Sequence, residues 1–114
     1  MSEPSVFERI VAGEIPSTKV FENERVLAIR DIAPQAPVHL LVFPKTGRYR
    51  DVAALAADDP QLLAEIVATA QALADEHCAG QYRLVFNTGA EAGQTVFHVH
   101  AHVLGGGLDE GRMA

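Results

Sequence analysis

From Phe97 to Val103 apolar and polar residues alternate without a break, in the run Phe97-His98-Val99-His100-Ala101-His102-Val103-Leu104. Strict alternation marks a half-buried β-strand, so the pattern predicts a strand over Phe97–Leu104. Residues two apart on a strand share a face. Phe97, Val99, Ala101 and Val103 are therefore expected to enter the core, and His98, His100 and His102 to line the opposite side. Three of the chain's five histidines then form one row. Solvated histidines on an exposed face would account for one such residue, not for three in register.

Two chemistries suit the row. Imidazole is a common zinc ligand, but at the rise of a β-strand His98 and His102 stand about 13 Å apart with nearly parallel side chains. Two neighbours can share an ion; all three hardly can. The other reading is an anion-handling site, with one histidine as nucleophile or base and its neighbours as hydrogen-bond donors. The preceding segment Asn87-Thr88-Gly89-Ala90-Glu91-Ala92-Gly93-Gln94-Thr95 favours it. Gly93 permits close backbone approach and Asn87, Gln94 and Thr95 offer side-chain donors, the ingredients of a phosphate cradle.

The rest of the chain bounds the fold. With 114 residues, 48% of them hydrophobic, it has room for a single globular domain over residues 1–114. A net charge of −6 argues against nucleic acid or a membrane surface as partner. The single cysteine, Cys78, allows no intramolecular disulfide and fits a reducing compartment. The opening Met1-Ser2-Glu3-Pro4 has neither a basic nor an apolar leader segment, and no run reaches membrane-spanning length. A cytoplasmic location is expected.

Ser5-Val6-Phe7-Glu8 carries a capping-box pattern ahead of a short helix that stops at Gly13. Strands are predicted over Lys19–Glu22, Arg25–Arg30, His39–Phe43 and Tyr82–Asn87, with a short helix over Asp51–Ala57. A long helix is predicted from Pro60, capped by Asp58 or Asp59 and ended by Gly80. Its buried stripe is expected to be Leu63, Ile66, Val67, Ala70, Leu73 and Ala74, with Ala64, Ala68 and Ala72 on another flank.

The segment Gly93 to Gly106 resembles the signature of the histidine triad nucleotide-binding proteins. The likeness extends from about Val6 to Gly106: Phe7–Pro16 resembles the family's first helix and its Glu-Ile-Pro loop, and Asp31–Lys45 its central hairpin. Gly105-Gly106 after the triad is similar to the Hint branch rather than to the Fhit-like dinucleoside polyphosphate hydrolases. The expected fold is α+β, a five-stranded antiparallel sheet with one long and one or two short helices. The alanine flank and the resemblance together imply a homodimer.

The resemblance also implies an activity, hydrolysis of the P–N bond of a purine nucleoside phosphoramidate through a nucleotidyl-histidine. His100 is the implied nucleophile, His98 and His102 flank it as donors, and His39 orients the triad. Asp31 is the implied ribose ligand, and Asn87, Gly93, Gln94 and Thr95 match positions on the phosphate and leaving-group side. Phe7, Ile10, Phe21 and Ile32 are candidates for an apolar base slot, with core packing as the alternative for each. A dinucleoside polyphosphate hydrolase, a nucleotide-binding adaptor with little turnover, and a metal-binding strand are the alternatives. Some family members bind structural zinc through an N-terminal Cys-x-x-Cys pair; Ser5 and Glu8 stand in those places, and Gly47 near a usual histidine. No metal or other cofactor is expected.

Overall fold

In the computed structural model, which describes residues 3–108, the chain enters its first helix through a capping box. Ser5 Oγ accepts the Glu8 N–H at 3.0 Å and the Glu8 carboxylate accepts the Ser5 N–H at 2.8 Å, satisfying amides that a helix start leaves open. Helix α1 (Val6–Val11) turns Phe7 and Ile10 inward. Then come β1 (Lys19–Glu22), β2 (Val26–Arg30), β3 (Val38–Pro44), α2 (Val52–Asp58), α3 (Pro60–Cys78), β4 (Tyr82–Val85) and β5 (Ala101–Gly105). The strands form one antiparallel five-stranded sheet in the order β1-β2-β3-β5-β4.

Pleating divides the strands between two apolar layers. Val26, Ala28, Leu40, Val42, Ala101 and Val103 pack against Leu55 of α2 and Leu62, Ile66, Ala70 and Leu73 of α3. Leu27, Ile29, Leu41 and Phe43 point the other way, to Phe7 and Ile10 of α1. Burial of each Val, Leu, Ile or Phe side chain among these contributes about 1.5–3 kcal/mol before entropy is counted, so both helical layers are firmly seated.

Helix α3 is capped by Asp59 with Pro60 beside it, as the sequence led us to expect. Its buried stripe is rotated from the expected one. Leu62 and Thr69 are buried with Ile66, Ala70, Leu73 and Ala74, whereas Val67 is exposed and Leu63 only half-buried. Thr69 tolerates burial because its hydroxyl bonds back to the Glu65 carbonyl at 2.8 Å. The helix ends at Cys78, with Ala79 as its left-handed cap at φ 55° and Gly80 following at φ 74°, its N–H bonded back to the Ala74 carbonyl at 2.9 Å.

The expected strand over Phe97–Leu104 begins only at Ala101. The β3–β5 register pairs Val42 with Ala101; continued, it would set Pro44 opposite Val99. Proline has no N–H to donate to a ladder, and the Val99 N–H bonds instead to the Tyr49 carbonyl at 2.9 Å. Phe97 accordingly lies outside the core, 46% exposed, with the Arg50 guanidinium 4.9 Å from its ring centroid. Likewise β4 ends at Val85 rather than Asn87. Among the described residues, no helix is long and apolar enough to cross a membrane.

Candidate active site

The alternation survives the early end of the ladder. Val99, Ala101 and Val103 belong to the α3 layer, and the three triad histidines gather on the α1 side. There the Phe7 ring meets His98 edge-on at 5.5 Å and His100 at 4.8 Å, and stacks on Phe43 at 4.5 Å. The His102 ring lies 5.2 Å from both His100 and His39. Register explains His39. Leu41 faces His102 directly, which leaves His39 as a diagonal neighbour within reach across the ladder.

Hydrogen-bond partners fix the proton positions on all four rings, because a carbonyl only accepts and a backbone amide only donates. His100 Nδ1 lies 2.8 Å from the His98 carbonyl, so Nδ1 carries the proton and Nε2 keeps its lone pair. His98 Nε2 donates to the Pro44 carbonyl at 2.7 Å, leaving Nδ1 as an acceptor, 2.7 Å from Ser5 Oγ. The Gln35 N–H donates to His39 Nδ1 at 3.0 Å, so His39 Nε2 is the protonated nitrogen. It donates to His102 Nδ1 at 2.9 Å. His102 therefore carries its own proton on Nε2.

This assignment requires neutral rings, and the surroundings provide for them. Burial lowers the pKa of His98, His100, His102 and His39 below the ordinary imidazole value. For His102, burial and the neighbouring His100 and His39 bring it to about 4, with Asp31 opposing. For His100, the bond to the His98 carbonyl and the charge of Asp31 partly offset burial. At neutral pH the site thus presents a free imidazole lone pair on His100 beside a neutral N–H donor on His102.

Asp31 lies just past β2, with Oδ1 accepting the Ala33 N–H at 2.7 Å and Oδ2 3.4 Å from His39 Nε2. Ile32 beside it is 96% exposed, and Phe21 on β1 is also exposed. Phe7 and Ile10 are buried in the α1 layer. Gly93, at φ 94°, and Thr95 are exposed on the loop before the triad, and Asn87 is half-buried with Nδ2 close to Gly93.

Gln94 corrects an expectation. It is buried, its amide nitrogen donates to the carbonyls of Arg50 at 2.6 Å and Val96 at 3.1 Å, and its Oε1 accepts the Gly89 N–H at 2.9 Å. Both donor protons are spent, so Gln94 staples the loop and has none to offer a ligand. Three positioning groups carry no functional signal in the sequence: the Gln35 amide, the Pro44 carbonyl and the hydroxyl of Ser5. Only Ser5 lies in a legible motif, the capping box.

Among the described residues, the one cluster of metal-donor side chains is poorly suited to an ion. Donor atoms of Asp31, His39 and His102 lie within 4.8 Å of one another, yet the Gln35 amide obliges His39 Nε2 to hold a proton where an ion needs a lone pair. Ser5, Glu8 and Gly47, the places where the resemblance would put zinc ligands, offer neither a thiolate nor an imidazole. Here His98 Nδ1 faces the Ser5 hydroxyl and the Glu8 carboxylate is engaged by the Ser5 amide.

Comparison with known proteins converges on one family. The HIT domain model matches residues 12–108. An uncharacterized HIT-like protein of Synechocystis is 44% identical over 107 residues, 93% of each chain. The purine nucleoside phosphoramidase of Escherichia coli is 38% identical over 108 residues, covering 93% of this chain and 90% of the relative. Among solved structures, a HIT family hydrolase from Clostridium thermocellum superposes with a TM-score of 0.88 at 43% identity, covering 99% of this chain and 98% of the other.

Proposed function

The chain belongs to the HIT domain family, and from that premise we propose that it is a nucleotide phosphoramidase that cleaves the P–N bond of purine nucleoside phosphoramidates. One observation carries the reading. The His98 carbonyl holds the proton of His100 on Nδ1 and so frees Nε2 as a nucleophile in a site that keeps imidazoles neutral. The likeness to the phosphoramidase of Escherichia coli supports the choice of substrate class.

In the proposed reaction His100 Nε2 attacks phosphorus, the P–N bond breaks, and the nucleotidyl group stays on His100. The positive charge that develops on the ring is shared with Nδ1–H, whose bond to the His98 carbonyl becomes charge-assisted. His102 Nε2–H donates to a phosphoryl oxygen, where negative charge builds. Resting His102 is neutral and its Nδ1 already accepts the His39 N–H, so the proton with which the amine departs is one that the phosphoramidate nitrogen takes from solvent, and the P–N bond pair leaves with the neutral amine. Water then attacks the nucleotidyl-histidine and releases the nucleoside monophosphate.

Asp31 accepts hydrogen bonds from the ribose hydroxyls, and Asn87, Gly93 and Thr95 attend the phosphate and leaving-group side. Ile32 and Phe21 supply exposed apolar surface for the base, while Phe7 and Ile10 back the site from the core. Two copies would pair through the α3 flank that carries Ala64, Ala68 and Ala72, all exposed, so light scattering should give twice the chain mass. Incubation with adenosine phosphoramidate tests the activity: release of adenosine monophosphate is expected. Cleavage of dinucleoside polyphosphates alone, or binding of monophosphates without turnover, would decide for the alternatives.

A further inference from the structure

Ser5 and His98 lie ninety-three residues apart in sequence, yet Ser5 Oγ stands 2.7 Å from His98 Nδ1. We propose that Ser5 is a positioning residue for the nucleophile, acting through His98; the inference rests on the assignment of His100 as that nucleophile.

The Ser5 hydroxyl is used in both directions. Its lone pair caps α1 by accepting the Glu8 N–H, and its proton goes to His98 Nδ1, since the Pro44 carbonyl already holds the proton of Nε2. A helix cap alone does not need a serine, because aspartate and asparagine cap equally well. A proton for His98 does need a donor. The His98 side chain is fully buried, so a ring bonded at both nitrogens has neither room nor reason to turn. Its own carbonyl is then set against His100 Nδ1, which decides that the lone pair of His100 stands on Nε2.

The anchor of Ser5 is itself built in. The Glu8 carboxylate, which accepts the Ser5 amide proton, lies over Gly47, where any Cβ would come within 2.3–2.5 Å of it. The bare backbone at Gly47 makes the space in which Glu8 holds Ser5 still. Helix α1 and the nucleophile are thus tied by one hydroxyl rather than by apolar contact alone.

The test compares Ser5→Thr, which keeps cap and donor, with Ser5→Asp, which keeps the cap but supplies no proton. Ser5→Gly, nearly neutral as a cap, serves as a second donor-less variant should Ser5→Asp fail to fold. Nitrogen-15 NMR of the imidazoles should find wild-type His98 neutral with its proton on Nε2. Ser5→Asp should draw a proton onto His98 Nδ1 and move the His100 Nδ1 signal, and kcat should fall about 10- to 100-fold, the scale of a slight misplacement of a reacting group. KM should change little, and Ser5→Thr should restore both kcat and spectrum. A wild-type His98 with its proton on Nδ1, or a Ser5→Asp protein with wild-type His98 and His100 signals and wild-type kcat, would overturn the proposal. The spectra stand without turnover: if wild type cleaves no phosphoramidate, the reaction assignment fails while the NMR comparison still decides the role of Ser5.

Discussion

Replacing His100 with alanine removes the one imidazole lone pair that the hydrogen bonds among His39, His98, His100 and His102 leave unused, and turnover should fall by at least about 10³-fold while monophosphate binding persists. Single-turnover kinetics and equilibrium binding on His100→Ala check this; near-normal turnover would refute the nucleophile. Asp31→Ala should act on binding instead. Loss of hydrogen bonds to a charged group weakens the nucleotide by about 1.5–3 kcal/mol, read as a raised KM with kcat largely kept. A 2′,3′-blocked nucleotide that binds wild type as well as the free ribose form would remove that role. That the three histidines share one side is legible in the sequence, because residues at spacing two on an alternating run face the same way. Their proton positions are not: those depend on the Pro44 carbonyl and Gln35 amide, backbone atoms that any residue carries and that only the fold brings near.

Elements differ in how far their limits could be read. Helices α1, α2 and α3 start at caps written in side chains, Ser5, Asp51 and Asp59, and all three were anticipated within about a residue. Strand β5 is shorter than its alternation suggests because period two reports which way side chains point, not whether the backbone is paired. Pro44, on the neighbouring strand, ends the pairing, and nothing within Phe97–Leu104 encodes that. The rotation of α3 escapes the sequence for a related reason: Val67 is apolar, but the sheet is covered by the line through Leu62, Ile66, Thr69 and Leu73. Helix α1 should be worth more to catalysis than its length suggests, because Phe7 packs against His98, His100 and Phe43 at once. Phe7→Ala should destabilise the protein by about 3–5 kcal/mol and lower kcat even where the fold persists. Denaturant melts and kinetics on the same sample check both; unchanged kcat in a folded Phe7→Ala protein would place the triad's support elsewhere.

At the scale of the whole molecule, four histidines held neutral by burial make stability depend on pH. Unfolded imidazoles take up protons near pH ~6.5, and the folded ones only lower, at about 4 for His102. Between those values the unfolded chain binds more protons, so stability is full above about 6.5 and is lost as the pH falls through the folded values. Melting temperature should be level near neutrality and decline from about pH 6.5 toward 4; a level profile across that window would mean the rings are not neutral as drawn. The acid limb of kcat/KM should likewise lie below the usual imidazole value, since the free enzyme must first protonate a buried ring. Chelators should leave activity untouched, because the triad nitrogens hold protons or hydrogen bonds rather than offering a set of lone pairs to an ion. A nucleotidyl group carried on His100 Nε2 is open to capture by rapid quench with adenosine phosphoramidate followed by peptide mass spectrometry. We expect one adenylyl increment on the peptide containing His100, lost in His100→Ala and chased by water to the monophosphate; steady turnover with no such adduct at any time point, or an adduct on another residue, would rule out His100 as the nucleophile.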